Sequence, residues 1–183
     1  WLSLCFAILQ FFTSFKKNNN SLLLFYKIVV VGILLSILFS FFSLMYSHII
    51  SDFSVLNVFQ NSHTTKPLLY KISGVWGNHE GSMLLWILVL SLVNYWIYKL
   101  YNKTNYIFIS NALQIQALII IGFLLFVLIT SNPFERILFD QPDGLGFNPI
   151  LQDPALAIHP PLLYFGYVGL SAAFSFSIAT MRL

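Results

Sequence analysis

A histidine followed by two prolines, His159, Pro160 and Pro161, is the feature of this sequence with the clearest chemical potential. It closes a polar, proline-rich segment, residues 132–159, and precedes a long apolar run. Proline disfavours the helical region for the residue before it and suits the first turn of a helix, so we expect a non-helical His159 with a displayed imidazole. A neutral imidazole at a membrane surface coordinates iron well, which makes His159 a candidate metal or haem ligand. The alternative is that His159 is a histidine at the helix boundary that caps the helix and forms a hydrogen bond with the loop.

Aromatic side chains follow His159 in the apolar run, and Tyr164, Phe165 and Tyr167 would supply an apolar wall beside a haem. A second motif, WGNHEGS at residues 76–82, precedes another apolar run. It has a structural interpretation in which Asn78 or Ser82 caps the helix and tryptophans anchor it at the membrane interface.

Composition shows which elements must position these residues. The chain has 58% hydrophobic and 8% charged residues and a mean hydropathy of +0.81, which is typical of an integral membrane protein. We therefore predict an all-α, polytopic membrane helical bundle of about five transmembrane helices with two long outer-face loops. The helices are predicted near residues 1–15, 25–47, 82–99, 107–130 and 161–181. The first run is short and has no initiator Met, so we expect its start to be missing.

The distribution of charge predicts the orientation of the bundle, because inner loops carry the excess of Lys and Arg. One set of connections holds Lys16, Lys17, Lys27, Lys99, Lys103 and Arg182. The opposite set holds three cations, all four histidines and all six acidic residues. The second set is therefore predicted to face outside, in two long loops at residues 48–81 and 131–159. The pI near 9 then reflects topology and does not indicate nucleic acid binding.

Other functional classes are disfavoured by what the chain lacks. Cys5 is the sole cysteine, so the chain offers no CxxC redox pair, and His79 with Glu80 lacks the second histidine of an HExxH zinc motif. Apart from lysines at their inner ends, the predicted spans carry polar but uncharged residues, which argues against an ion-coupled transporter and suggests links between helices. These residues are Gln10, Asn94, Asn111, Gln114 and Gln116. A stripe of small residues from Gly166 to Ser177 would let another helix approach the last span closely.

Taken together, the motifs resemble those of the CcmF-type cytochrome c haem lyases, in the N-terminal part of that family. The elements that carry the resemblance are WGNHEGSMLLW at residues 76–86, NPF at residues 132–134, and DGLGFNPILQDPALAIHPPLLYFGYVG at residues 143–169. The resemblance implies that residues 1–183 are one membrane domain of a larger lyase. It also implies that haem b is held at the outer face for thioether attachment to the CXXCH site of apocytochrome c.

The resemblance implies that His159 is the first outer axial ligand of haem, and that Trp76 and His79 border the haem or substrate region. The sequence ends before the tryptophan-rich WWD segment and the second outer histidine. A lyase would then need a partner chain with that segment, together with a haem chaperone, apocytochrome c and membrane lipids. We expect a split mitochondrial form in the inner membrane, with its long loops facing the intermembrane space; a bacterial inner membrane and periplasm are the alternative. Another hypothesis is a non-catalytic structural subunit of a larger mitochondrial membrane complex.

Overall fold

A computed structural model describes residues 1–13, 20–100, 105–138, 141–146 and 152–183. Seven helices form within these ranges: α1 (Leu2–Thr13), α2 (Asn20–Ile50), α3 (Leu56–Asn61), α4 (Leu68–Gly74), α5 (His79–Lys99), α6 (Tyr106–Thr130) and α7 (Pro154–Met181). The predicted all-α fold is therefore confirmed. The predicted inner cations Lys16, Lys17 and Lys103 and the acidic Asp140 lie outside the described residues.

Four of these helices are long and apolar enough to cross a membrane. They contain the spans Leu23–Ile49, His79–Lys99, Tyr106–Thr130 and Ala157–Met181. The remaining apolar helix, α1, has 12 residues and packs against α2 and α6. Because each long helix buries only part of its apolar surface on its neighbours, the rest is available to lipid. The polytopic membrane bundle predicted from composition is thus confirmed.

Polar side chains inside the bundle join neighbouring helices, as predicted. The Gln10 amide of α1 donates to Asn94 Oδ1 of α5 at 2.8 Å, and Asn94 returns a bond to Gln10 Oε1 at 2.9 Å. Gln116 of α6 donates to Ser171 Oγ at 3.1 Å and accepts from Ser175 Oγ at 2.9 Å. Each buried amide has its partner on another helix, so these contacts fix which helices are adjacent.

The start of the last helix differs from the prediction. We expected a helix from about residue 161 with His159 in non-helical backbone, whereas α7 begins at Pro154 and includes His159, Pro160 and Pro161. Asp153 caps the helix, because its Oδ1 accepts from the Ala155 N–H at 2.7 Å, and Pro154 occupies the first helical position. An Asp-Pro pair is a helix-start signal, so α7 begins before His159 and not after it.

The first of the two long loops contains two short helices that were not predicted. Residues 48–81 were expected to form one long loop, and they hold α3, α4 and the beginning of α5. Pro67 is the residue immediately before α4, and its ψ of 145° lies outside the helical region. Helices of six and seven residues lack the periodicity that marks a longer helix in a sequence.

Candidate functional site

The two long loops that were predicted to face outside pair with each other through their backbones. Val55 and Arg136 form an isolated antiparallel bridge. The Leu56 N–H donates to the Glu135 carbonyl at 2.8 Å, and the Ile137 N–H donates to the Ser54 carbonyl at 2.9 Å. The loops that carry the two motifs are therefore one structural unit on one end of the bundle.

The DGLG segment of the second loop docks on the end of α3. The Leu145 N–H donates to the Phe59 carbonyl at 2.8 Å, and a Cβ added at Gly144 would lie 2.0 Å from the Ser62 carbonyl oxygen. Only glycine allows this approach. Asp143 accepts a bond from the Thr64 hydroxyl at 2.6 Å, which holds the pKa of its carboxyl below the ordinary value. The DGLG motif thus serves to join the two loops.

The WGNHEGS motif forms the start of α5. The Gly81 N–H donates to Asn78 Oδ1 at 2.8 Å, so Asn78 is the N-cap that the sequence suggested as one of two candidates. The Asn78 amide also donates to the Gly74 carbonyl at 2.7 Å. A Cβ at Gly81 would lie 1.6 Å from the Val75 carbonyl oxygen, so the turn before α5 requires glycine there.

Trp76 connects this motif to α7. Its indole Nε1–H donates to the Ala157 carbonyl at 2.8 Å, and its ring stacks on Phe41 with centroids 6.4 Å apart. Inside a helix the Ala157 carbonyl would accept a hydrogen bond from the N–H of the residue four positions later. That residue is Pro161, which has no N–H, so the helix itself offers this carbonyl no such donor. The indole supplies the missing donor, which lets α7 continue through its prolines. The two motifs that the sequence placed on one side of the membrane are therefore in contact.

His159 lies two residues beyond this bond, and its side chain is exposed. The displayed imidazole is thus present, although the backbone that carries it is helical. His159 begins a continuous exposed side of α7, which we call the open face. The open face consists of His159, Leu162, Leu163, Gly166, Tyr167, Leu170, Ala173, Phe174 and Ser177. The opposite side is buried against the bundle through Val168, Ala172, Ser175 and Ala179.

The aromatic residues predicted to form a wall beside His159 are divided between the two sides of α7. Tyr167 belongs to the open face and Phe165 is also exposed. Tyr164 is half-buried and meets Trp86 edge to face, with centroids 5.3 Å apart. Tyr167 is therefore placed to contact a ligand of His159, whereas the Tyr164 ring is used to pack α7 on α5.

His79 contacts the end of α6. Its Nε2 lies 3.1 Å from Ser131 Oγ, and its ring meets Phe126 edge to face at 6.2 Å. The side chain is exposed. His79 thus contacts the end of α6, whereas Trp76 of the same motif forms a hydrogen bond with α7.

A buried polar cluster beneath the outer loops was not found from the sequence. The fully buried His48 donates through Nε2–H to Asn57 Oδ1 at 3.0 Å, and Asn57 donates to Asn78 Oδ1 at 2.7 Å. Lys66 is 7% exposed and donates to the Asn61 carbonyl at 2.9 Å. These residues belong to several different elements and share no regular spacing, so no sequence signal marks the cluster. It supports the Asn78 cap from below.

Burial lowers the pKa of Lys66 from 10.5 to about 8, and the nearby Lys71 contributes repulsion. The unfolded chain keeps the Lys66 proton up to about pH 10.5, whereas the folded chain loses it near pH 8. Between these two values the unfolded state binds more protons, so the free energy of unfolding should rise with pH, by roughly 2 kcal/mol in total. We expect Lys66→Met to abolish that rise in the thermal unfolding midpoint of the detergent-purified chain. Lys71→Met is the matched control and should keep most of it. An equal rise in the Lys66→Met variant would contradict the assignment.

The chain is similar in sequence to known proteins of cytochrome c biogenesis. Residues 76–183 match the family described as Cytochrome C assembly protein. The cytochrome c-type biogenesis protein CycK of Bradyrhizobium diazoefficiens is 53% identical over 142 residues, which cover 78% of this chain and 22% of the relative. CcmF of Haemophilus influenzae is 42% identical over 181 residues, covering 98% of this chain and 28% of the relative. The chain thus spans about a quarter of the length of these bacterial relatives.

A solved structure titled Cytochrome c Heme Lyase CcmF shares the fold. It superposes with a TM-score of 0.83 at 26% identity, over 99% of this chain and 29% of that chain. The sequence resemblance and the helical arrangement therefore indicate the same family.

Proposed function

This chain belongs to the cytochrome c assembly protein family, in its CcmF-type branch, and on that basis we propose that it helps a haem lyase hold haem at the outer face of the membrane. His159 is the proposed axial ligand of the haem iron. Haem b is the substrate, and apocytochrome c with its CXXCH site is the acceptor. The proposed location is an inner membrane, mitochondrial or bacterial, with both long loops on the outer side.

The observation that carries this proposal is the open face of α7. It begins with an exposed imidazole and continues with exposed apolar side chains, among them Leu162 and Tyr167. A Cβ at Gly166 would meet no atom within 4 Å, so the centre of the face has free space beside it. Haem binding needs an iron ligand next to an apolar wall, and this surface offers both.

This chain offers a ligand and an apolar wall for only one side of a haem. In the described part of the chain no three His, Cys, Asp or Glu side chains come close enough together to hold a metal ion. His159 therefore acts as a single ligand toward iron already held in a porphyrin. We propose that the second histidine and the facing wall come from a partner that carries a WWD segment, and that a haem chaperone delivers the haem.

The chemistry of attachment belongs to the substrates. The thiols of the CXXCH site add to the haem vinyl groups and form thioethers, while this chain binds and orients the haem. His159 binds the iron. Trp76 fixes the first turns of α7 through its bond to the Ala157 carbonyl, and so sets the position of the imidazole.

The proposal is tested by purifying, through this chain, the complex from cells that produce c-type cytochromes. We expect a Soret band from bound haem and, by mass spectrometry, a co-purifying chain that contains a WWD segment. A complex without haem under conditions in which cytochromes mature would contradict a role in haem binding.

A structural subunit is the second candidate, and one observation favours it. Asn78, Gly81 and Trp76 of the WGNHEGS motif are all used in capping and packing contacts. A purely structural role predicts a stable complex with neither a Soret band nor a WWD-bearing chain, so the same purification separates the two functions.

We expect Trp76→Phe to weaken haem retention while the chain still folds. The change keeps an aromatic ring beside Phe41 and leaves the Ala157 carbonyl without a donor, which costs roughly 1–3 kcal/mol. Because α7 would shift at its first turns, the fraction of haem with two axial ligands, measured by its absorption spectrum, should fall. Trp96→Phe is the matched control, since Trp96 lies exposed on α5 and tilts against Phe176 of α7. An unchanged spectrum in Trp76→Phe would contradict the positioning role.

A further inference from the structure

We propose that a groove between α2 and α5, at the inner end of the bundle, binds the headgroup of an anionic phospholipid. The groove has a volume of about 280 Å³. Its lining consists of Leu23, Lys27, Val31, Tyr95, Tyr98 and Lys99. It lies at the opposite end of the bundle from His159 and is independent of the proposed haem site.

The lining residues form two stripes, one on α2 and one on α5. Leu23, Lys27 and Val31 are four residues apart on α2, and Tyr95, Tyr98 and Lys99 lie within one turn of α5. The Lys99 ammonium is 5.3 Å from the centre of the Tyr95 ring, which keeps it beside the groove. Two lysines and two tyrosines thus line one cleft, and their ammonium and phenol groups are donors that suit a phosphate.

The two lysines have no carboxylate in their part of the chain. Residues 1–51 and 81–134 contain no Asp or Glu. The nearest acidic residue along α5 is Glu80, 19 positions from Lys99, or roughly 28 Å along a helix. Both lysines line the groove and neither has a carboxylate nearby along its helix, so an anion bound in the groove would be attracted by each ammonium group.

The surroundings of the groove select a lipid as the source of that anion. Leu24 and Ile28 flank it on α2, Trp96 flanks it on α5, and all three are exposed. This apolar rim faces the bilayer, and tryptophan is typical of the headgroup level. Val31 lies one turn deeper than Lys27, where it would meet an acyl chain. Basic pockets between transmembrane helices on the inner side are suited to anionic lipid headgroups.

The test uses the full chain, purified in detergent with equal amounts of phosphatidylglycerol and phosphatidylcholine. Native mass spectrometry should show phosphatidylglycerol bound in preference. In the Lys27→Gln, Lys99→Gln double variant its affinity should fall roughly thirtyfold, from two lysine contacts. The conservative Lys27→Arg, Lys99→Arg variant should retain the lipid. Arg182→Gln is the matched control, because it removes an inner-end charge that bonds Gln114 on α6.

Three results would overturn the proposal. The first is equal retention of phosphatidylglycerol by the double glutamine variant and the wild type. The second is equal binding of the two lipids by the wild type. The third is displacement of the bound lipid by millimolar inorganic phosphate, which would identify a site for free phosphate.

Discussion

Replacing His159 with alanine is expected to reduce the haem retained by the purified complex to background and to lower the yield of mature c-type cytochrome at least about tenfold. Loss of groups that merely support a ligand costs 10–100-fold in metal affinity, so loss of the ligand itself should cost no less. The side chain is exposed on the open face, and its removal creates no cavity in the core. The Soret absorbance per mole of chain and a haem stain of cell extracts measure the two effects.

His63→Ala provides the matched control for this prediction. His63 is also a histidine of the outer loops, and its Nε2 lies 3.2 Å from Asp143 Oδ2 in the contact between the loops. Exposed polar contacts of this kind contribute at most about 1 kcal/mol, so haem retention should stay near the wild-type level. If both variants lose haem equally, the loss reflects the outer loops as a whole, and the ligand assignment of His159 is wrong.

Gly81→Ala is expected to destabilise the folded chain by about 2–4 kcal/mol, the largest effect on stability among these variants. The added methyl group would lie 1.6 Å from the Val75 carbonyl oxygen, a separation that no relaxation of side chains relieves. The start of α5 must move, which strains the packing and removes the Asn78 cap. The thermal unfolding midpoint in detergent and the yield of membrane-inserted chain should both fall.

The control for this variant is Gly122→Ala. Gly122 lies in α6, and a Cβ there would meet no atom within 4 Å. Alanine favours a helix over glycine by up to about 1 kcal/mol, so this substitution should be neutral or slightly stabilising. A Gly81→Ala chain as stable as Gly122→Ala would show that the turn before α5 is looser than its geometry indicates.

The membrane helices could be predicted because each is a long, local pattern of apolar residues. The runs near residues 82–99 and 107–130 became α5 and α6 with ends within a few residues of those expected. The links through Gln10 and Gln116 were also predictable, since an amide inside a membrane needs a partner. For the two motifs, the sequence predicted only that they lie on the same side of the membrane, and it did not predict the contact between them.

The features that the sequence did not reveal depend on contacts between distant residues. The helical state of His159 rests on the bond from Trp76 to Ala157, which joins positions 81 residues apart. The buried state of His48 and Lys66 depends likewise on tertiary contacts, among them those with Asn57 and Asn61 of α3. Propensity describes a segment in isolation, and here tertiary contacts supply the hydrogen bonds that the isolated segment would lack.

The proposed role of His159 as haem ligand is tested most directly by chemical rescue. The complex carrying His159→Gly leaves space for a free imidazole at the site of the lost ring. Its Soret band should be absent, and it should return, together with cytochrome c maturation, when millimolar imidazole is added. A His159→Gly complex that keeps the wild-type Soret band without imidazole would contradict the proposed function.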